Sequence, residues 1–206
     1  MLRAFGRDSA LLLIDCQCGI DSLEHWGGSS GRRNNPGAER NIAELLNAWR
    51  SHGNPVFYSV HDSREASSPL KLSLPTGEIK GPLLPLPGEL VIRKDVNSAF
   101  VGTNFDIALR RASVRRLIIV GFFTNMCVSS TARMANNLGF DTYVVDDACA
   151  CSNRVGFDGI DYDPEVVHAV TIASLHGEFC TALVARDALA LLDTDASELE
   201  RVQGNE

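Results

Sequence analysis

The sequence predicts an α/β protein: a single doubly wound domain with a six-stranded, mostly parallel sheet and helices on both faces. Three observations lead there. Short apolar runs alternate with helical periodicity, the pattern of a parallel sheet buried on both faces. A length of 206 residues suits one domain and is enough to bury a substantial core. No repeat, linker or low-complexity segment divides the chain, so the domain is expected to span 1–206 and to end in an acidic tail, 193–206.

Strands are predicted at Ala10–Ile14, Val56–Val60, Leu90–Arg93, Leu117–Gly121, Thr142–Val145 and Cys180–Ala185. Ile42, Leu45, Leu46 and Trp49 fall at i, i+3, i+4 and i+7, and Gly53 with Asn54-Pro55 stops that helix. From His61 to Gly88 nothing regular fits, and five of the eight prolines lie there. A connection of that length leaving a strand end is expected to wall a pocket. Thr103 is a candidate N-cap with Asp106 three residues later. Val128, Thr131, Ala132, Ala135 and Leu138 mark one face of a helix over Val128–Leu138, closed by Gly139. Asp163-Pro164 starts a helix bearing Val167, Val170 and Ser174, and Gly177 ends it.

Composition narrows the function. Apolar residues make up 45% and charged ones 22%, an ordinary soluble globular balance. A net charge of −7 argues against binding a nucleic-acid backbone. Residues 193–206 hold five carboxylate side chains and one Arg, −4 of that total, and read as a solvated end. The apolar run Ala10–Ile14 is too short for a secretory signal, and nothing approaches the roughly 20 apolar residues of a membrane span. The expected location is the cytoplasm, where the six cysteines stay reduced. The pairs Cys16/Cys18 and Cys149/Cys151 lack the spacing of structural zinc sites, and Cys180 reads as a small buried hydrophobe.

In a doubly wound sheet ligands bind at the carboxyl ends of the strands, so each strand end can be read for chemistry. The first ends in Asp15, the second in His61-Asp62-Ser63, the third in Lys94. The fourth runs through Gly121 to Cys127 and a helix, and the fifth ends in Asp146-Asp147. A carboxylate, an ammonium and a thiol therefore converge on one rim. A thiol attacks as the thiolate, which a helix N-terminus and a nearby ammonium favour, so a lowered Cys127 pKa is expected. Asp15 can take the thiol proton and later pass it to a leaving amine. Lys94 can stabilise the thiolate and hold Asp15, while backbone N–H groups of the turn can bind an oxyanion. Alone, each residue is ordinary: a ligand carboxylate, a surface lysine, a space-filling cysteine. Their convergence carries the reading.

The motifs also resemble a family. Gly121-Phe-Phe-Thr-Asn-Met-Cys127-Val, continuing through Thr131 to Phe140, resembles the nucleophile segment of isochorismatase-like cysteine hydrolases. Lys94-Asp-Val-Asn-Ser98-Ala-Phe100 with Gly102-Thr103-Asn104 resembles their lysine segment, and Asp15-Cys16-Gln17 their Asp-x-Gln. Val145-Asp-Asp-Ala148 and Leu175-His-Gly-Glu-Phe179 are similar to further family segments, and the likeness runs in order from about residue 9 to 190. It implies an Asp15–Lys94–Cys127 triad, an oxyanion hole from the N–H groups of Phe123 and Cys127, and a cis Phe122–Phe123 peptide bond.

Nicotinamidases of that family carry an Asp/His/His metal site. Here His61-Asp62-Ser63 offers no Asp-x-His, and with Ser68-Pro69-Leu70 it looks like a less characterised His-x-Ser subgroup. No metal is carried over, and no cofactor is expected. Isochorismatases proper cleave a vinyl ether and can lack the cysteine, so Cys127 points to hydrolysis of a C–N bond through a thioester. The expected substrate is a small amide, imide or carbamoyl compound. Candidate substrate-binding residues are Gln17, Trp26, His61, Ser63, Phe100 and Phe123. The alternatives are a vinyl-ether hydrolase, in which Cys127 is dispensable, a catalytically idle metabolite-binding homologue, and a redox or metal protein using the Cys pairs. By resemblance the chain assembles as a homo-oligomer, a dimer or tetramer, and no membrane or nucleic-acid partner is expected.

Overall fold

A parallel strand covered on both sides must be apolar almost throughout, and β1 (Ser9–Ile14) is buried at all six residues. Leu11 and Leu13 enter one core, while Ala10, Leu12 and Ile14 enter the other. The computed structural model describes residues 4–193, so the expected acidic tail, Asp193 apart, lies outside the described residues. Beside β1 lie β2 (Val56–His61) and β4 (Arg116–Phe122). β3 (Leu90–Lys94) pairs outside β2, and β5 (Asp141–Ala150) outside β4. The hairpin β6 (Arg154–Val155) and β7 (Asp161–Tyr162) precedes the edge strand β8 (Thr181–Leu183). The sheet order is β3-β2-β1-β4-β5-β8, parallel at every pairing. The strand order reverses between β1 and β4, which opens a crevice at their carboxyl ends.

After the short α1 (Leu23–Gly27), α2 (Ala38–Ser51) covers one face of the sheet, where α6 (Ala185–Asp193) joins it. The other face is covered by α3 (Phe105–Arg111), α4 (Ser129–Asn137) and α5 (Pro164–Leu175). Ile42, Leu45, Leu46 and Trp49 of α2 are fully buried, each contributing about 1.5–3 kcal/mol of apolar burial. Among the described residues no helix is long and apolar enough to cross a membrane.

Four boundaries differ from expectation, each for a local reason. β5 does not stop at Asp146-Asp147 but runs to Ala150, because its register against β4 slips between Ile119 and Gly121 and resumes at Cys149. The slack forms a bulge held by Asn35, whose Nδ2 donates to the carbonyls of Asp146 and Cys149. β8 is shorter than Cys180–Ala185, since Ala185 already begins α6. The N-cap of α3 is Asn104, although the Thr103 hydroxyl still accepts the Phe105 N–H, and Asp106 pairs with Arg110 one turn on. Finally, a π-helical turn, Thr124–Val128, intervenes between β4 and α4. Gly121 is obligatory beside it: φ is +121°, and a Cβ there would lie 2.1 Å from the Ile14 carbonyl oxygen.

Candidate active site

The switch point places Asp15 directly after β1, with φ +50°, a left-handed conformation that Asp tolerates better than most residues. Its backbone N–H still donates to Ser59 O at 3.0 Å, so the carboxylate leaves the sheet from a fixed base. Oδ1 accepts the Ser59 hydroxyl at 3.0 Å, and Oδ2 accepts Lys94 Nζ at 2.6 Å. The ammonium, at the end of β3, also contacts His61 Nδ1 at 3.0 Å and Cys127 Sγ at 3.3 Å. Three partners take its three N–H donors. Lys94 and Asp15 side chains are 0% and 1% exposed, so their attraction acts with little water screening and neither charge tolerates losing its partner.

The charges fix the resting state. Burial opposes a charged Lys94, yet the Asp15 carboxylate, by charge and hydrogen bond, outweighs it and holds the ammonium above the ordinary lysine range. Burial and the Lys94 charge push His61 below the usual imidazole range, so its Nδ1 stays free to accept from Lys94. Burial and the Asp15 carboxylate raise the Cys127 thiol far above its ordinary value, with Lys94 offsetting only part. This corrects the expectation of a lowered thiol pKa. Cys127 lies inside the π-helical turn rather than at the free N-terminus of a helix, and desolvation dominates there. Desolvation therefore favours the neutral thiol over the thiolate. Around the sulfur stand Lys94 Nζ at 3.3 Å, His61 Nδ1 at 3.9 Å and a carboxylate oxygen of Asp15 within 4.8 Å.

Asp15, His61 and Cys127 offer oxygen, nitrogen and sulfur atoms within 4.8 Å of one another, a donor set that could suit a soft divalent metal. The same three groups surround Lys94 Nζ at 2.6, 3.0 and 3.3 Å. The ammonium stands where such an ion would sit, so the residues do not fit a metal unless Lys94 is displaced.

A cavity of about 170 Å³ opens onto Cys127. An apolar cavity of about 150 Å³ takes benzene, so this one suits a molecule the size of a single ring. Trp26, Phe122 and Phe123 form its aromatic wall, with the Trp26 and Phe123 rings 5.0 Å apart. His61, Ser63 and Asn97 supply polar groups, and Ser68 and Leu70 of the long connection close another side. The Phe122–Phe123 peptide bond is cis, as expected.

Of the candidate substrate-binding residues, Trp26, His61, Ser63 and Phe123 line this cavity. Gln17 does not: its Nε2 donates to the carbonyls of His61 and Gly77, and its Oε1 accepts the His61 N–H at 2.8 Å. It ties β2 to the long connection instead. Phe100 does not either; it packs on Phe105 and Phe140 in the opposite core. Asp146 and Asp147 are also off the rim, bonded to His168 and to the Ala185 N–H.

Ser59 and Asn97 are not candidates in the sequence reading, and Phe122 is one there for its peptide bond but not for the cavity wall. Ser59 has a usable signal, a small polar residue inside the apolar run of a central strand, where a buried donor needs a partner. Asn97 and Phe122 have none beyond nearness to Lys94 and Cys127. All six cysteines are free, and Cys18 is exposed while the other five are buried.

Comparison with known proteins agrees with the geometry. The isochorismatase domain model matches residues 9–158. The uncharacterized isochorismatase family protein YrdC of Bacillus subtilis is 39% identical over 177 residues, covering 84% of this chain and 90% of its own length. The ureidoacrylate amidohydrolase RutB of Agrobacterium fabrum is 31% identical over 140 residues, covering 54% of this chain and 61% of its own. A crystal structure of an isochorismatase-family protein from Chromobacterium violaceum superposes with a TM-score of 0.85 at 38% identity, covering 92% of this chain and 96% of that one.

Proposed function

The chain belongs to the isochorismatase family of hydrolases, and from that premise we propose that it is a cysteine hydrolase cleaving a C–N bond of a small amide, imide or carbamoyl compound. The observation that carries the proposal is one buried ammonium touching both a carboxylate and a thiol, Lys94 Nζ at 2.6 Å from Asp15 Oδ2 and 3.3 Å from Cys127 Sγ. As Cys127 Sγ bonds to the substrate carbonyl carbon, its proton passes to Asp15. Lys94 stabilises the charge gathering on sulfur, and the Phe123 and Cys127 N–H groups receive the oxyanion. Collapse of the tetrahedral intermediate breaks the C–N bond, and protonated Asp15 returns the proton to the departing amine. Water then attacks the thioester as Asp15 takes its proton; the C–S bond breaks, the acid departs, and Asp15 returns that proton to Cys127 Sγ. The similarity to an amidohydrolase supports the choice of bond.

The test is a screen of small amides and carbamoyl compounds for release of ammonia or amine, parent against Cys127→Ala. Turnover by the parent alone is expected; equal turnover by both would remove the thiol from the chemistry.

We also propose that the enzyme is cytoplasmic and that its single-domain chain self-associates. Val166 and Val170, exposed one turn apart on α5, are apolar surface that supports self-association. Sedimentation at several concentrations is expected to give a dimer or tetramer, and a monomer at all of them would end that part.

A further inference from the structure

The turn holding the nucleophile is tied from behind by a group that the mechanism above does not use. Thr124, the first residue of the π-helical turn, is fully buried, and its Oγ1 lies 2.9 Å from Nδ1 of His168 on α5. The other ring nitrogen of His168, Nε2, lies 2.8 Å from Asp146 Oδ1 at the β5 bulge. His168 is itself 6% exposed, so both nitrogens need partners and both have them.

The direction of the Asp146 bond follows from chemistry. A carboxylate accepts, so Nε2 carries the proton and donates to Asp146. Nδ1 is the other end of the tie, within hydrogen-bond distance of the Thr124 hydroxyl, which can either donate or accept. Asp146 thereby orients the ring, and the ring holds the Thr124 rotamer. Three elements meet in this chain: the β5 bulge, α5 and the turn between β4 and α4. The bulge matters, because its extra length carries Asp146 out of the ladder toward α5.

We propose that His168 is a positioning residue of the hydrolase site, holding the Thr124–Val128 turn through the Thr124 hydroxyl so that Cys127 Sγ and the flanking N–H groups keep their places. The inference rests on the cysteine-hydrolase reading. A π-helical turn has no long run of repeating bonds to stiffen it, so its geometry depends on such side-chain ties. A shift of about 1 Å at the nucleophile loses the Lys94 contact at 3.3 Å and is enough to cost on the order of 100-fold in rate.

The test compares Thr124→Val, which keeps the shape and removes the hydroxyl, with Thr124→Ser, which keeps the hydroxyl, and with His168→Gln. The first readout needs no knowledge of the substrate: the rate at which iodoacetamide modifies Cys127, followed by peptide mapping, with exposed Cys18 as the internal reference. Thr124→Val and His168→Gln are expected to slow modification of Cys127 at least fivefold, while Thr124→Ser stays within about twofold of the parent and Cys18 is unchanged throughout. The second readout is turnover of an amide that the parent hydrolyses, with kcat expected to fall about 10–100-fold and KM to move little. The Thr124→Val/His168→Gln pair should be no worse than either single change, since both cut one chain.

Parent-like modification of Cys127 in Thr124→Val overturns the proposal, as does a Thr124→Ser protein as impaired as Thr124→Val. Loss of amide turnover in every protein, the parent included, with the alkylation pattern intact would count against the hydrolase reading while supporting the positioning one.

Discussion

Two of the buried thiols that lie beside carboxylates at the sheet, Cys127 and Cys149, differ in two ingredients. After β4, Cys127 lies near Asp15; at the β5 bulge, Cys149 lies near Asp146 and Asp147. Burial raises both thiols far above the ordinary range, and the neighbouring carboxylates raise them further. Acidity therefore does not distinguish them. Cys149 Sγ faces the Ile119 carbonyl at 3.9 Å inside the core, whereas Cys127 has an ammonium at 3.3 Å and an open cavity in front. On the cysteine-hydrolase reading, the comparison teaches that the site is made by a paired charge to stabilise the product of deprotonation, and by room for a substrate, rather than by a reactive resting thiol.

Removing the two sulfurs is the sharpest way to break the comparison. Cys127→Ala is expected to reduce hydrolysis by at least about 10³-fold, as loss of a member of a catalytic triad typically does. Cys149→Ala should keep its kcat and instead lower stability within the usual 0.5–3 kcal/mol of a core change. Progress curves and chemical unfolding of the two variants check both halves.

The ion pair gives the next largest effect. Asp15→Asn leaves the Lys94 ammonium buried without its counter-charge, which should cost about 3–5 kcal/mol as well as the base. Asp15→Asn/Lys94→Met removes both charges, so it should regain much of that stability while remaining inactive. A double variant no more stable than Asp15→Asn would mean that the pair is not the source of the loss.

Smaller still is the pH dependence. Burial and Lys94 hold His61 below its ordinary value of 6.5, so the unfolded chain takes up a proton that the native site resists. Stability then falls as pH drops below about 6.5 and levels off once His61 is protonated in the folded protein as well. The acid limb of kcat/KM should have its midpoint below 6.5, because an imidazolium cannot accept from Lys94. Lys94 acts at the other end: its pKa is raised above 10.5, so its contribution is intact below that value and disappears as pH rises beyond it. A pH profile of kcat/KM with His61→Asn alongside the parent checks the acid limb, which should be absent from the variant.

The smallest expected effect is none. The ammonium occupies the centre of the Asp15, His61 and Cys127 donor set, so dialysis against EDTA should leave activity within about twofold. Loss on chelation with recovery on added zinc would show a metal displacing Lys94.

How much of this was legible in the sequence depends on the range of the force responsible. The six strands of the main sheet, α2 and the α5 start follow from apolar runs, helical spacing and local stop signals, and β1 to β4 lie within about one residue of where those signals put them. The convergence of Asp15, Lys94 and Cys127 was readable because one topological rule fixes where strand ends meet. The β5 bulge was not readable, since Asp146-Asp147 looks like a strand end when the slip in pairing is invisible. Gln17 and Phe100 were misplaced because a polar or aromatic residue beside a site is equally useful for tying loops or filling a core. The direction of the Cys127 shift was missed for a related reason. Placement near a helix can be read from spacing, but desolvation is a property of everything packed around the sulfur.

The central claim is that Cys127 becomes acylated during turnover. It is tested most directly by quenching a reaction with a hydrolysed amide in acid and measuring the intact protein and its peptides by mass spectrometry. The account predicts an added mass equal to the acyl portion of the substrate, lost with hydroxylamine, on the peptide containing Cys127 and absent from Cys127→Ala. An acyl adduct on another residue, or full turnover by Cys127→Ala, would contradict it.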